Sequence, residues 1–284
     1  MQSILRFAKN LPLLAYYLLV FLISWGGVLL AVGPHGFAGI NISYDTQLVV
    51  VGSIIGFGPL IAGLLMIGLL YGRAGFRDLR ARLGKWRVHW AWYAVALLTG
   101  PLLSLLVLRV LGLRPAIATD PNPLSLLLMS IGLGMIVPIG EEPGWTGFAT
   151  PEWRKRFGVL ATGVLMGLLW GLWHLPMFTV SARESTEIPS IVFLLILLFT
   201  WLVPFRVLMV WVYDHTHSLL LAMLMHLPIV VDQIVLSAPQ MTKTQIANSN
   251  LLLALGLWIM VALVWATGGF ETKIRKGRKL QPAG

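Results

Sequence analysis

Eight stretches of mostly apolar residues divide this chain, each near the length that crosses a bilayer as one helix. A hydrocarbon core of about 30 Å takes about 20 residues at 1.5 Å rise. The stretches run over 11–32, 48–71, 90–111, 124–148, 158–180, 189–212, 217–236 and 250–267. In lipid each backbone N–H and C=O needs an internal partner, and a continuous helix supplies them all. Charged residues are only 11% of the chain and hydrophobic ones 57%, against about 25% charged in a soluble domain. That excludes a soluble enzyme, a disordered tail and a small disulfide scaffold. Cysteine is absent, which removes disulfides, Fe–S clusters and thiolate-bound metals. The first stretch follows Arg6 and Lys9 as a signal peptide would. It is long for a signal core and shows no small-residue cleavage site, so it reads as a retained span. No internal repeat is visible, which disfavours an inverted-repeat transporter. The expectation is an all-α integral membrane protein: one polytopic domain over 1–284 with about eight transmembrane helices.

The formal charge of +10 would suit nucleic acid, but its distribution points to a membrane. With the N-terminus in the cytoplasm, sixteen of the 21 Lys and Arg fall on cytoplasmic segments: Arg6 and Lys9, then Arg73 to Arg87, Arg154 to Arg156, and Lys273 to Lys279. Outer loops hold three, Arg114, Arg183 and Lys243. Positive residues gather on the cytoplasmic side of spanning proteins. The split places both termini in the cytoplasm and suits a cell membrane. Membrane lipid is the expected partner of these basic residues, and no nucleic-acid role is needed. Arg73 to Arg87 reads either as a surface amphipathic helix, with Phe76, Leu79 and Leu83 on one side, or as a charged loop.

Ionisable groups at membrane depth are expensive and face a polar interior. They are Arg109, Glu141, Glu142, His174, Arg206, His226 and Asp232. Glu141, Glu142, His174 and His226 fall on three different spans, and carboxylates with imidazoles suit acid–base work or a metal. In Gly140-Glu141-Glu142-Pro143-Gly144-Trp145 the neighbouring carboxylates point about 100° apart on a helix. One Glu addresses a cavity while the other makes a supporting contact, or both are solvated at a span end. Pro138 and Pro143 loosen the helix there. In Trp170-Gly171-Leu172-Trp173-His174-Leu175-Pro176, Trp170 and His174 share a face, and Gly167 and Gly171 permit close helix approach. Alone, His174 reads as a satisfied structural residue as readily as a functional one. A second intramembrane His, His226, raises the odds that the two converge. Two His could ligate haem, which would leave the Glu pair unexplained. Asp214, His215 and His217 read as interfacial polar residues.

With these residues placed, the chain resembles the CAAX prenyl protease and bacteriocin-processing (CPBP or Abi) family of intramembrane proteases over about residues 50–235. Phe57 to Gly63 resembles the family's second-span segment. Gly72 to Leu79, followed by Trp86-Arg87, resembles its basic loop. Gly140 to Phe148 resembles its E-E-x-x-x-R block. Trp170 to Pro176 resembles its F-x-x-x-H block, with Trp for Phe. Ser218 to His226 resembles the start of its H-x-x-x-N block. The resemblance implies an eight-helix fold with an intramembrane catalytic cavity. It also implies endopeptidase cleavage near the C-terminus of a membrane-associated protein or peptide, CAAX-type and prenylated in the family's name. In that scheme Glu141 activates water with His174, Glu142 belongs to the same catalytic set, and His226 helps stabilise the oxyanion. Glu141, His174 and His226 would also make a three-ligand zinc site with one open position; the same residues serve a metal-free route as base and donors.

Two positions depart from the family pattern. Thr146 stands where the pattern has Arg, and it cannot supply a charge to Glu142, which is then protonated or uses another partner. Val230 stands where the pattern has Asn, and it offers no hydrogen bond to an oxyanion. Gln233 lies about 10 Å from His226 along the helix, too far to replace the Asn. The water-activating half thus reads as intact and the supporting half as damaged. Two functions follow: an active metalloprotease-like hydrolase, or a degenerate homologue acting as a peptide-binding, scaffold or immunity protein. A proton-coupled transporter is a third. There is also a geometric tension. His226 lies about 14 Å in from the cytoplasmic start of its span and His174 about 24 Å from its own, at 1.5 Å per residue. Convergence needs the fifth span to start outside the bilayer or to tilt.

Overall fold

The computed structural model describes residues 2–238 and 241–271, and among these every regular element is helical. After a short helix Gln2–Asn10 come α1 (Pro12–Phe37), α2 (Gly58–Leu83), α3 (Trp90–Val110), α4 (Pro123–Gly144), α5 (Val159–Trp173), α6 (Leu175–Arg183), α7 (Ser190–Phe199), α8 (Leu202–Thr216), α9 (Leu219–Val235) and α10 (Lys243–Ala266). All eight expected spans are helical. Six helical runs are long and apolar enough to cross a membrane: Pro12–Phe37, Tyr44–Leu83, Trp90–Val110, Pro123–Trp153, Ser190–Thr216 and Lys243–Ala266. The fifth expected span is the pair α5 and α6, bent by 59°. The seventh is α9, apolar but only 17 residues. The protein is a multi-pass integral membrane protein, with six to seven such spans among the described residues and α9 at the lower end of spanning length. The basic residues Lys273, Arg275, Lys276, Arg278 and Lys279 lie outside the described residues.

Local chemistry sets the breaks. α2 turns at Gly72, where φ is 53°, a conformation that favours glycine. Its continuation carries the basic segment to Leu83 and stops at Gly84, so the amphipathic helix covers Arg73 to Leu83 and not Arg87. Leu79 is buried there while Phe76 and Leu83 are exposed. The α5–α6 break falls at His174, with Pro176 in the first turn of α6, where the missing N–H is tolerated. The freed end is clamped. Gln47 Nε2 donates to Pro176 O at 2.6 Å and to Thr179 Oγ1 at 2.7 Å, and Trp25 Nε1 donates to Trp173 O at 3.1 Å.

Glycines bring the site-bearing helices together backbone to backbone. A Cβ at Gly163 would sit 2.4 Å from Val207 Cα, at Gly167 2.7 Å from Val203 Cα, and at Gly171 2.0 Å from Leu198 O. This four-residue repeat lies along one face of α5 and seats it on α8 and the end of α7. The expectation for Gly167 and Gly171 is met, and Gly163 extends it. The second seam holds the Glu pair. A Cβ at Gly140 would lie 2.5 Å from Gly56 O, and one at Gly144 2.0 Å from Pro59 O. These two glycines flank Glu141 and Glu142 and press α4 against the start of α2.

Gly144→Ala is expected to lower stability by about 1–3 kcal/mol through overpacking. Gly132→Ala, on the same helix with nothing within 4 Å of its new Cβ, is expected to be neutral or stabilising by about 0.5–1 kcal/mol. Unfolding curves of both variants in detergent check this.

Candidate active site

The four residues singled out from sequence arrive from three helices. Glu141 and Glu142 sit in the last turn of α4, His174 at the α5–α6 break, and His226 in α9. Glu141, Glu142 and His226 are buried, and His174 is half-buried. The α4 helix continues through both prolines into a π-helical turn, Trp145–Ala149, whose Trp145 carbonyl accepts from Thr150 Oγ1 at 3.0 Å. Such wide turns recur at functional sites. Here the turn directly follows the Glu pair.

Glu142 is saturated with donors. Arg206 grips it with two bonds, Nη1 to Oε2 and Nη2 to Oε1, both 3.1 Å. Thr146 Oγ1 donates to Oε2 in a short bond, and His226 Nδ1 donates to Oε1 at 2.9 Å. Arg206 and Glu142 are both essentially inaccessible, with side-chain exposures of 1% and 0%. This corrects the expectation that Thr146 leaves the supporting half damaged. The charge missing at position 146 comes from Arg206 on α8, and the threonine adds a hydrogen bond of its own. A guanidinium fork suits a buried carboxylate because it offers two parallel donors. Arg206 stood out in the sequence as a charge at membrane depth, but no spacing rule links α8 to α4. That pairing is a contact between helices that only the fold brings together.

Trp170 ties the rest together. Its indole Nε1 donates to Glu141 Oε2 at 2.9 Å. Its ring faces Arg206, whose Cζ lies 4.2 Å from the centroid. It meets His174 and His226 edge-on, with ring centroids at 5.3 Å and 5.4 Å. The two histidines thus converge on one indole. The broken span is what places His174 here. In the sequence Trp170 shares a face with His174 and stands where the family pattern has Phe; the partner of its indole N–H is set only by the fold. His174 Nδ1 donates to Trp170 O at 2.8 Å. A carbonyl only accepts, so Nδ1 carries the proton and Nε2 keeps a lone pair.

The zinc expectation needs Glu141, His174 and His226 around one point. Among the described residues no group of three His, Asp or Glu side chains is placed to hold a metal ion. Trp170 engages Glu141 Oε2 and His174 Nδ1, and Glu142 engages His226 Nδ1, which leaves Glu141 Oε1 and the two imidazole Nε2 atoms as the donors a metal would use. Val230 packs against the apolar core and supplies no donor, and Gln233 is exposed and does not take its place.

Beyond the cluster, Asp214 forms a largely buried ion pair with Arg154, at 2.7 Å and 3.2 Å, so it is structural and not merely interfacial. Arg109 lies exposed in the last turn of α3. A cavity of about 310 Å³ lies beside the cluster, and none of Glu141, Glu142, His174 or His226 lines it.

Residues 123–230 match the family model described as Type II CAAX prenyl endopeptidase Rce1-like. That stretch contains Glu141, Glu142, His174, Arg206 and His226. Over that stretch the chain is similar to this CAAX prenyl endopeptidase family. A similar protein is CAAX prenyl protease 2 of Methanococcus maripaludis, 27% identical over 128 residues, or 44% of this chain. The chain spans about half of that relative's length, 45%.

Removing Arg206 strands a buried carboxylate, which typically costs about 3–5 kcal/mol. Arg206→Met is expected to show a loss of that size by SDS or urea unfolding. Adding Glu142→Gln in the same chain is expected to restore a large part of it, since the uncompensated charge is then gone.

Proposed function

We propose that the protein is a CAAX-type intramembrane endopeptidase that hydrolyses a peptide bond near the C-terminus of a membrane-associated protein or peptide. The observation carrying this reading is the division of labour in the glutamate pair. Glu142 is saturated by Arg206, Thr146 and His226. Glu141 has one indole donor on Oε2, and its Oε1 is free for a water proton. Glu141 takes that proton as water attacks the scissile carbonyl. His174 Nε2 shares the water or receives the proton before it passes to the leaving amine. Protonated His226 keeps Nδ1–H on Glu142 and offers Nε2–H to the oxyanion. Glu142 and Arg206 act as positioning residues: they fix the ring plane of His226 and hold α4, α8 and α9 in register. No step in this scheme runs through a metal.

The substrate is a peptide reached from the membrane, prenylated or not, in a cell membrane with both termini of the enzyme in the cytoplasm. Cytoplasmic Lys and Arg, among them Arg73, Arg77 and Arg80, face anionic lipid. A second reading has one observation in its favour. Val230 removes an oxyanion donor, a loss that typically slows catalysis about 10²–10³-fold. A peptide-binding scaffold would tolerate that loss fully.

The test is cleavage of membrane-anchored peptides, prenylated and unprenylated, by the protein in liposomes. Glu141→Gln is expected to reduce cleavage by about 10²–10⁴-fold, the worth of a positioned base, with an unchanged unfolding curve. Cleavage by wild type is expected to survive 1,10-phenanthroline. Absence of wild-type cleavage on every substrate, with binding retained, would favour the scaffold.

A further inference from the structure

The cavity beside the cluster contains a carboxylate that the proposed reaction does not use. Asp232, on α9, is 6% exposed and forms part of the cavity wall. It accepts a long hydrogen bond from Ser104 Oγ at 3.4 Å. No Lys, Arg or His nitrogen lies within ion-pair distance of it among the described residues. Lys243 is at hand on α10, but its Nζ is engaged with Ser181 Oγ at 3.3 Å and lies 5.9 Å from the Phe193 ring centroid. The fold also keeps space for the carboxylate: a Cβ on Gly100 would come within 3.0 Å of Asp232 Oδ2. An acid at membrane depth without a cation is expensive and marks function.

The rest of the wall matches an organic cation. Ser104, Ser181, Ser249 and Asn250 bring neutral hydroxyl and amide groups, while Met177, Phe178, Leu197 and Ile229 bring apolar surface. Hydroxyl and amide oxygens accept N–H bonds that the carboxylate does not take, and the apolar side chains cover methylenes. We infer that this cavity binds a monocationic organic group, an alkylammonium or guanidinium, with its nitrogen on Asp232 and its carbon chain along Phe178 and Ile229. Ile229 lies one turn from His226, and Trp201, also in the wall, stands 6.4 Å from Trp170 by ring centroids. The group is carried either by the peptide substrate, which rests on the reading above, or by a free amine.

The test uses the full chain in nanodiscs of neutral phosphatidylcholine, with n-hexylammonium and 1-hexanol as probes in calorimetric titrations. Wild type is expected to bind the ammonium at least tenfold more tightly than the alcohol, and Asp232→Asn to lose that preference. Should Asp232→Asn fail to fold, Ser249→Phe, which adds bulk to the cavity wall from α10 and keeps the carboxylate, is expected to abolish ammonium binding. Equal binding of the two probes by wild type, or a preference that survives either substitution, would overturn the inference. Both results are independent of catalysis. A further arm compares cleavage of peptides with Lys or norleucine at one position: a Lys preference that Asp232→Asn removes assigns the cation to the substrate, and no preference assigns it to a free amine.

Discussion

The buried ion pair between Glu142 and Arg206 is the contact on which the rest of the site depends. Two opposite charges in a low-dielectric interior attract strongly, yet each loses its hydration. The balance is favourable only if every remaining donor and acceptor is met. Glu142 meets its share with a guanidinium fork, a hydroxyl and an imidazole, while Arg206 Nε is buried without a hydrogen-bond partner among the described residues and its guanidinium lies over the Trp170 ring. Those partners come from α8, from its own helix one turn on, and from α9. One carboxylate thereby fixes three elements relative to each other, and it fixes His226 with them.

Trp170 extends that order to the second carboxylate. Its ring lies over Arg206 and its N–H holds Glu141. A cation over an indole face is attracted by the ring quadrupole, most strongly when both are away from water. The indole is therefore held from one side by Arg206 and holds the proposed base on the other. The arrangement divides two adjacent acids of identical chemistry into a saturated positioning group and a lightly held one. The asymmetry arises from the helix itself, which points neighbouring side chains about 100° apart.

Close helix packing makes these contacts reachable. Glycines spaced by four residues on α5, and the pair flanking the glutamates on α4, replace side chains with backbone-to-backbone contact. Lipid tails are as apolar as the side chains they touch, so helices in a membrane gain more from intimate packing than from burying leucine. The broken span serves the same end. Its interruption at His174 frees carbonyls that Trp25 and His174 itself satisfy, and the second of these bonds sets the imidazole tautomer.

The sequence by itself determined the helical class, the approximate limits of the apolar segments and the identity of the Glu and His residues. Those features follow from local rules: hydropathy over about 20 residues, proline and glycine at breaks, and the cost of charge in lipid. It also marked position 146 as lacking its charge. Only the tertiary structure decided where that charge comes from. Arg206 is 60 residues further along the chain than Thr146, and no periodicity connects two residues on separate helices. The same applies to the indole bond of Trp170 and to the lack, among the described residues, of a cation beside Asp232. Each is a relation between helices, set by how small residues let backbones approach. One sequence, read along its length, carries residue types and spacings but not the distances between its helices.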